Sequence, residues 1–282
     1  MSRGFVKTID DLSKGGRKSI FFDFFSKGEY DGRVNEISKN RILSLPYPLR
    51  LSWTESTLST NDDLKEMAKA GEADFTVRIA DSQTAGKGRK NRSFFSKGGL
   101  YMSILLPFGE NFFLVTPIAA IAVAKAIRSL TGEDALIKWV NDVYVNGKKV
   151  CGILSESVVT EGGRRIVLGV GVNLATPQEG FPREIRDIAG SIDADRSELA
   201  ARFLEEFFSR FCAGDATEIK KEYIALSFLV GKEVFIQKEN GCLKATVLGF
   251  TEDLSLSVRY LDGRTEDLIA GDVSLRLDGV PR

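Results

Sequence analysis

The chain has 282 residues, with 39 basic and 39 acidic side chains and no histidine. This length suffices for one large domain or two modest ones with buried cores, and a net charge of zero predicts no long-range attraction to nucleic acid or acidic membranes. The lack of imidazole excludes Ser-His-Asp triads, Cys-His pairs, HExxH zinc sites and facial iron triads. Any chemistry must therefore use Lys, Arg, carboxylates, amides and backbone groups.

The cysteines and the N-terminus predict where the protein resides. Cys151, Cys212 and Cys242 are widely spaced and form no CxxC pair, which argues against a thiolate zinc site and a disulfide framework. The first residues lack a secretory apolar region, and no apolar run approaches the ~20 residues that cross a bilayer. We therefore expect a soluble cytoplasmic protein without a membrane partner.

Three regions differ in sequence pattern. Residues 1–49 combine basic residues with an aromatic cluster at 21–25 and end near Pro46-Tyr47-Pro48. Glycines interrupt each window long enough for a recognition helix, so we expect an irregular extension that packs on the next domain and does not bind DNA. Residues 50–226 alternate helical and strand patterns and are expected to form the main domain. Residues 227–282 are short apolar runs separated by turns.

The elements of the main domain follow from capping residues and hydrophobic spacing. A helix is predicted over residues 62–70, after the hydroxyl and amide groups of Ser59-Thr60-Asn61 and before Gly71. Further predicted elements are strands over 75–80 and 100–106, a buried helix over 117–130, strands over 136–145 and 149–156 joined by an Asn146-Gly147 hairpin, a strand over 166–174, and a helix over 197–211. Hairpins mixed with helices predict an α+β fold rather than strict βαβ alternation.

The C-terminal region has its own strand pattern. Strands are predicted near residues 232–237, 243–250, 254–260 and 273–277, with turn residues between them. This pattern fits a small SH3-like barrel.

A glycine-rich basic segment, SQTAGKGRKNRSF over residues 82–94, is the first candidate for function. Its two glycines can expose backbone N–H groups to a ligand, and its basic side chains can neutralise phosphate or carboxylate. The segment matches neither the P-loop pattern nor the dinucleotide fingerprint. A solvated basic loop explains the same residues equally well.

A second candidate, Lys138-Trp139-Val140-Asn141-Asp142, places charged and amide groups in an apolar strand. Strand alternation puts Trp139 and Asn141 on one face and Lys138 and Asp142 on the other. A lysine in a sheet centre is costly unless an anion pairs with it. The alternative is a Lys138–Asp142 pair with the ammonium in water.

Glycines in neighbouring predicted strands form a third, weaker signal. Gly152 and the Gly169-Val170-Gly171-Val172-Asn173 segment indicate either close approach of a ligand or tight packing. The hydroxyls at Ser59 and Thr60 are likewise explained by a helix cap alone.

Taken in order, the STN, QxxGxGR, KWxND, GIL and GxGxN segments resemble those of the biotin protein ligases over about residues 50–280. The resemblance implies a mixed β-sheet flanked by helices, of the class II aminoacyl-tRNA synthetase-like type, plus a C-terminal SH3-like barrel. The glycine-interrupted pattern of residues 1–49 favours the family type without an N-terminal winged helix-turn-helix. Four positions depart from the family's usual residues: Val140 stands for proline, Lys87 for arginine, Asn91 for glycine and Phe94 for tryptophan.

The resemblance also implies an activity. Such a ligase uses ATP and Mg²⁺ to convert biotin into biotinyl-5′-AMP, and then transfers biotin to a lysine of a biotin carboxyl carrier domain. Lys138 and Arg89 are the expected catalytic residues. The expected biotin-binding residues are Ser59, Thr60, Asn61, Gln83, Gly86, Lys87, Gly88, Arg89, Lys138 and Gly152. The expected ATP-binding residues are Arg89, Arg92, Lys138, Asn141, Asp142 and Asn173.

The expected metal is Mg²⁺ carried by ATP near Asn141 and Asp142, without a site made by protein side chains alone. The expected partner is the carrier protein of acetyl-CoA carboxylase or a related carboxylase, and no specific DNA is expected. The sequence leaves a homodimer open. Two alternatives remain at this point: a lipoate or octanoate ligase or transferase of the same fold, and a biotin-responsive transcription regulator.

Overall fold

A mixed seven-stranded sheet forms the centre of the main domain. The computed structural model describes residues 36–96, 98–177, 179–238, 241–269 and 274–276. The strand order is β1-β2-β3-β7-β6-β5-β4, in which β1 and β2 are parallel and the other neighbours antiparallel. The strands are β1 Arg50–Thr57, β2 Thr76–Gln83, β3 Gly99–Pro107, β4 Leu136–Lys138, β5 Asp142–Val145, β6 Lys148–Thr160 and β7 Gly163–Asn173.

Five α-helices accompany the two sheets in the described part of the chain: α1 Glu36–Leu43, α2 Thr60–Lys69, α3 Val115–Thr131, α4 Arg196–Ala213 and α5 Ala216–Leu226. The helix predicted over residues 197–211 is confirmed as α4, and the rings of Phe203, Phe207 and Phe211 stack in sequence along its buried face. Helix α3 is apolar on nearly every side because it packs against both the sheet and α4.

The α3 region also corrects the expectation about long apolar runs. The 20-residue segment Phe112–Thr131 is long and apolar enough to cross a membrane by those criteria alone. Two thirds of its most apolar stretch (67%) is buried inside the protein. Its apolar character is therefore explained by its place in the core.

The C-terminal sheet is antiparallel, with the order β11-β10-β9-β8-β12. Its strands are β8 Glu233–Lys238, β9 Gly241–Phe250, β10 Leu256–Tyr260, β11 Thr265–Leu268 and β12 Ser274–Arg276. The sheet also contacts the main domain, because Trp139 Nε1 donates to the Leu254 carbonyl oxygen at 2.9 Å. This bond helps to hold the turn between β4 and β5 in place.

Several sequence predictions differ from the structure. The strand predicted over residues 136–145 is wrong: β4 ends at Lys138 and β5 begins at Asp142. Lys138 and Asp142 do share a face as predicted, but because they are directly opposite each other in this hairpin and not because they alternate along one strand. Apolar residues occupy the turn as well as both strands, so the hydrophobic pattern does not reveal where the chain reverses direction.

The expectation of an irregular extension over residues 1–49 is wrong for α1. Its residue Ile42 is only 1% exposed, and the helix packs against α4. Strands β1 and β11 and helix α5 were not predicted. The aromatic cluster at 21–25 lies outside the described residues.

Candidate active site

A cavity of about 680 Å³ brings most of the predicted site residues together. Of the fourteen, thirteen line it: Ser59, Thr60, Asn61, Gln83, Lys87, Gly88, Arg89, Arg92, Lys138, Asn141, Asp142, Gly152 and Asn173. Gly86 is not among the residues that line the cavity, and a Cβ at this position would come within 2.4 Å of Ser96 Oγ. Residues far apart in the sequence thus converge on one site.

One end of the cavity is a buried polar network around the first turn of α2. Thr60 donates to Gln83 Oε1 from its backbone N–H at 2.8 Å and from Oγ1 at 3.1 Å. Ser103 Oγ lies 2.7 Å from Thr60 Oγ1 and donates to Asn61 Oδ1 at 2.6 Å. Ser59 is 2% exposed and makes no side-chain capping bond to any described residue. The cap interpretation therefore does not account for this segment.

Two charged residues that the sequence analysis did not single out, Lys65 and Glu156, lie beside this polar network without lining the cavity. Asn61 Nδ2 donates to Glu156 Oε2 at 2.8 Å, and Lys65 Nζ pairs with Glu156 Oε1 at 2.5 Å. Gly169 explains how Asn61 fits, since a Cβ there would lie 2.2 Å from Asn61 Oδ1. Close approach of another side chain, and not only of a ligand, can therefore explain a glycine at this position of the strand.

The glycine-rich segment folds as a short hairpin over the cavity mouth. Gly88 N–H donates to the Arg92 carbonyl at 2.7 Å, and Phe94 N–H donates to the Gly86 carbonyl at 2.8 Å. Lys87 Nζ pairs with Asp62 Oδ2 at 2.6 Å, which raises the pKa of Lys87 through that hydrogen bond. The loop is therefore tied to the first turn of α2.

The Phe94 ring, at the end of this loop, packs against the backbone of the sheet. Gly152 and Gly171 are cross-strand partners in β6 and β7. A Cβ on Gly152 would lie 2.9 Å from the Phe94 ring, and one on Gly171 would lie 2.5 Å from it. The paired glycines thus create room for an aromatic ring against the sheet backbone.

The other end of the cavity is cationic and carries the β4–β5 turn. Arg89 NH1 donates to Asn141 Oδ1 at 3.2 Å, and Asn141 Nδ2 donates to the Ile153 carbonyl at 2.8 Å. Lys138 Nζ lies 5.6 Å from the centroid of the Tyr144 ring. In the same turn, Tyr223 OH donates to the Val140 carbonyl at 3.1 Å. Hydrogen bonds at both Val140 and Asn141 therefore hold the turn in place.

Positive charge prevails among the residues that line the cavity. Six of them are Lys or Arg and three are Asp or Glu. Burial lowers the pKa of Arg89, an effect that the negative charge of Asp142 opposes. Such an arrangement favours a ligand that brings its own negative charge.

Asn173 holds a loop in addition to lining the cavity. Its Nδ2 donates to the Gly190 carbonyl at 2.9 Å, and its carbonyl accepts from Ile192 N–H at 3.0 Å. The segment around residues 184–189 contributes to the cavity wall and was not predicted. Its residues show no spacing or composition that distinguishes them from a surface loop.

The donor set around Asp142 fits Mg²⁺ that arrives with a nucleotide. Mg²⁺ in nucleotide sites is held by one or two carboxylates, phosphate oxygens and waters. Asp142 supplies a partly buried carboxylate at the cationic end. Among the described residues, no cluster of three His, Cys, Asp or Glu side chains could hold a metal ion without such help.

The comparisons with known proteins agree with this geometry. Residues 53–173 match the model of the biotin/lipoate A/B protein ligase family. The chain is 30% identical over 244 residues to the biotin–[acetyl-CoA-carboxylase] ligase of Mycobacterium tuberculosis, covering 79% of this chain and 88% of the relative. The chain belongs to the biotin protein ligase family. It is also 30% identical over 241 residues to the bifunctional ligase/repressor BirA of Bacillus spizizenii, covering 80% of this chain and 74% of BirA.

A solved structure shows the same architecture. The biotin protein ligase of Aquifex aeolicus, in complex with biotin and ATP, superposes with a TM-score of 0.70 at 29% identity. The match covers 82% of this chain and 99% of that ligase. The predicted family and the predicted fold, a mixed sheet flanked by helices with a small C-terminal barrel, are confirmed. The individual ligand contacts remain predictions.

Proposed function

We propose that this member of the family activates biotin as biotinyl-5′-AMP and transfers it to a lysine of a biotin carboxyl carrier domain. The observation that carries the proposal is a single cavity with a neutral polar network at one end and a cationic cluster at the other. Biotin has matching ends, a ureido ring and a carboxylate. ATP adds its phosphates beside that carboxylate.

The polar end is suited to the ureido ring. Its hydroxyl and carboxamide groups, on Ser59, Thr60, Asn61 and Gln83, both donate and accept hydrogen bonds. Ser103 holds Thr60 and Asn61 in place, and Thr60 bonds to Gln83, so little ordering of these three is needed when the ring binds. The acyl chain of lipoate or octanoate carries no such polar head, which is why this end favours biotin over the lipoate alternative.

The cationic end is suited to adenylation. An oxygen of the biotin carboxylate attacks the α-phosphorus of ATP, a new P–O bond forms, and the bond to the leaving pyrophosphate breaks. Lys138 bridges the carboxylate and the α-phosphate and stabilises the shared negative charge, while Arg89 holds the adenylate and Arg92 the nucleotide. Asn141 and Asn173 complete the nucleotide side, and backbone groups at Gly86, Lys87, Gly88 and Gly152 line the biotin rings.

Asp142 would hold a Mg²⁺ ion that arrives with ATP, and that ion would supply neutralisation of the phosphate charge. In the second step the carrier lysine, as a free amine, attacks the carbonyl carbon of the mixed anhydride. The amide C–N bond forms, the C–O bond to AMP breaks, and the amine loses its proton. No histidine or covalent enzyme intermediate is required.

The carrier domain belongs to acetyl-CoA carboxylase or a related carboxylase. All three cysteines are free thiols, which supports a reducing, cytoplasmic location. We expect no membrane partner, and a homodimer is compatible with the chain. We further expect no sequence-specific DNA binding, and a salt-resistant gel shift on DNA upstream of biotin-synthesis genes would contradict this.

Mass spectrometry of a carrier domain tests the function. After incubation with the protein, biotin and Mg-ATP, the carrier should gain the mass of one biotinyl group. Replacing the acceptor lysine of the carrier by arginine is the matched control and should abolish the gain. Lipoate or octanoate in place of biotin should give no adduct, whereas an adduct with either one and none with biotin would support the alternative.

A further inference from the structure

Two adjacent lysines at the start of β6 have different surroundings. Lys148 is exposed, and its Nζ donates to the Asp187 carbonyl at 2.6 Å. Lys149 lines the cavity, and its Nζ pairs with Asp142 Oδ1 at 2.6 Å. The Lys149 side chain is 29% exposed. The sequence assigned no function to either residue.

A β-bulge explains why Lys149 faces the cavity. Val143 of β5 is opposite Cys151, but the next residue, Tyr144, is opposite Lys149, so Val150 is an extra residue in β6. Bulges redirect the side chains next to them. As a result Lys149 shares a face with Gly152: its Cε and Nζ both lie 3.4 Å from the position that a Cβ on Gly152 would occupy.

The position of Lys149 along β6 places it at the cationic end. Asn61 of the polar end reaches β6 at the Leu154 carbonyl. A strand rises about 3.3 Å per residue, so Lys149 lies at most roughly 16 Å along β6 from that contact. Its neighbours there are Asp142 and the loop whose Ile188 carbonyl accepts from Lys149 N–H at 2.6 Å.

We infer that Lys149 is a further substrate-contacting residue, whose ammonium binds the phosphate chain of the nucleotide. The inference rests on the proposed function. Asp142 serves as the counter-ion of Lys149 when no anion is bound. A nucleotide phosphate offers stronger acceptors for the same ammonium, and Asp142 is then released to face the metal ion that accompanies the nucleotide.

The test compares Lys149→Met with Lys148→Met. Methionine keeps an apolar stem beside Gly152 and removes the charge. Biotin-dependent ATP–pyrophosphate exchange in Lys149→Met should show kcat/KM for ATP lower by about 10²-fold, the usual effect of losing one preorganised charge. Biotin affinity, measured by calorimetry, should stay within about threefold, and Lys148→Met should stay within about threefold in both measurements.

Adding Lys149→Met to an Asp142→Asn variant shows whether Lys149 contacts the nucleotide or only neutralises the Asp142 carboxylate. Lys149→Met leaves the Asp142 carboxylate without this partner, which by itself would repel phosphate. If Lys149 contacts the nucleotide, Lys149→Met should cause a similar loss when it is added to Asp142→Asn. If the double variant instead matches Asp142→Asn alone, the inference is wrong. Should Lys149→Met fail to fold, Lys149→Arg and Lys149→Gln replace it, and equal activity of the two would also overturn the inference.

Calorimetric titration with Mg-ATP measures the same contact without turnover. Lys149→Met should weaken ATP binding by at least about tenfold. The parent protein could bind ATP in a Lys149-dependent manner and yet show no biotin-dependent exchange. In that case the proposed function is wrong and the contact between Lys149 and the nucleotide stands. If Lys149→Met binds ATP with unchanged affinity, the inferred contact between Lys149 and the nucleotide is wrong and the proposed function stands.

Discussion

The two ends of the cavity are organised differently. At the polar end, Thr60, Asn61, Gln83 and Ser103 bond to one another, and three of them are less than 5% exposed. At the cationic end, the charged groups come from the glycine-rich loop, the β4–β5 turn and β6, and positive side chains outnumber negative ones.

This difference follows from the physics of the two kinds of group. Neutral hydrogen-bonding side chains satisfy one another inside a protein and can be fixed before a ligand arrives. Side chains of like charge cannot satisfy one another, because each added cation raises the electrostatic energy of the others until an anion binds. We therefore expect changes at the cationic end to affect the reaction and changes at the polar end to affect biotin affinity.

Lys138→Ala should produce the largest effect. Removing a charge from the point where carboxylate and phosphate meet should slow adenylation by about 10²–10³-fold. The variant should fold, because Lys138 is at the end of a three-residue edge strand. Biotin-dependent pyrophosphate exchange measures the rate. Activity within a few-fold of the parent would show that Lys138 has only a structural role.

Arg89→Gly should release the intermediate. The guanidinium donates to Asn141 across the cavity, so its loss removes both a charged contact to the adenylate and a link between loop and turn. One charge-assisted hydrogen bond contributes about 1.5–3 kcal/mol, so release of biotinyl-AMP should be roughly 10- to 100-fold faster. Biotinylation of lysines on an unrelated bystander protein measures the escape. A bystander signal equal to that of the parent would argue against this role.

Gly169→Ala tests the polar end without touching a charge. The added methyl group would overlap Asn61 Oδ1 and displace it from Ser103. Biotin affinity should fall about tenfold, the equivalent of roughly one hydrogen bond. Gly249→Ala is the matched control, since a Cβ there meets open space, and it should bind biotin like the parent. Equal affinities in the two variants would contradict the assignment of the ureido ring to this end.

Hydrogen exchange should show the smallest difference, confined to the loop. The backbone N–H groups of residues 86–96 should become more protected when biotin and ATP bind, because the anion offsets the repulsion among Lys87, Arg89 and Arg92. The N–H groups of α2 serve as the control and should change little. Equal protection of the loop N–H groups with and without ligands would contradict the electrostatic difference that we expect between the two ends of the cavity.

The sequence predicted the fold well where the hydrophobic pattern is regular. The helices at α2, α3 and α4 and the Asn146-Gly147 hairpin lie where they were expected, and both hairpin residues have positive φ angles of 51° and 73°. The β4–β5 turn was missed because Trp139 and Val140 are buried, as strand residues would be. The α1 helix was missed because its sequence has little amphipathic pattern.

The site was predictable where short segments carry polar groups of unusual type, such as Ser59-Thr60-Asn61 and the glycine-rich loop. Ser103, Glu156 and Lys149 were not predictable in this way. Each is an ordinary residue in a strand, and only the pairing of strands shows that it lies in or beside the cavity. For Lys149 a one-residue bulge decides the facing, and such a shift leaves no mark in the sequence of β6.

The most direct test of the account is to look for the intermediate itself without any carrier protein. The parent protein, incubated with biotin, Mg²⁺ and ATP labelled at the α-phosphate, should form labelled biotinyl-5′-AMP and release an equal amount of pyrophosphate. Octanoate should give no acyl-AMP. Formation of octanoyl-AMP in place of biotinyl-AMP, or the absence of any labelled adenylate, would contradict the claim that the polar and cationic ends together activate biotin.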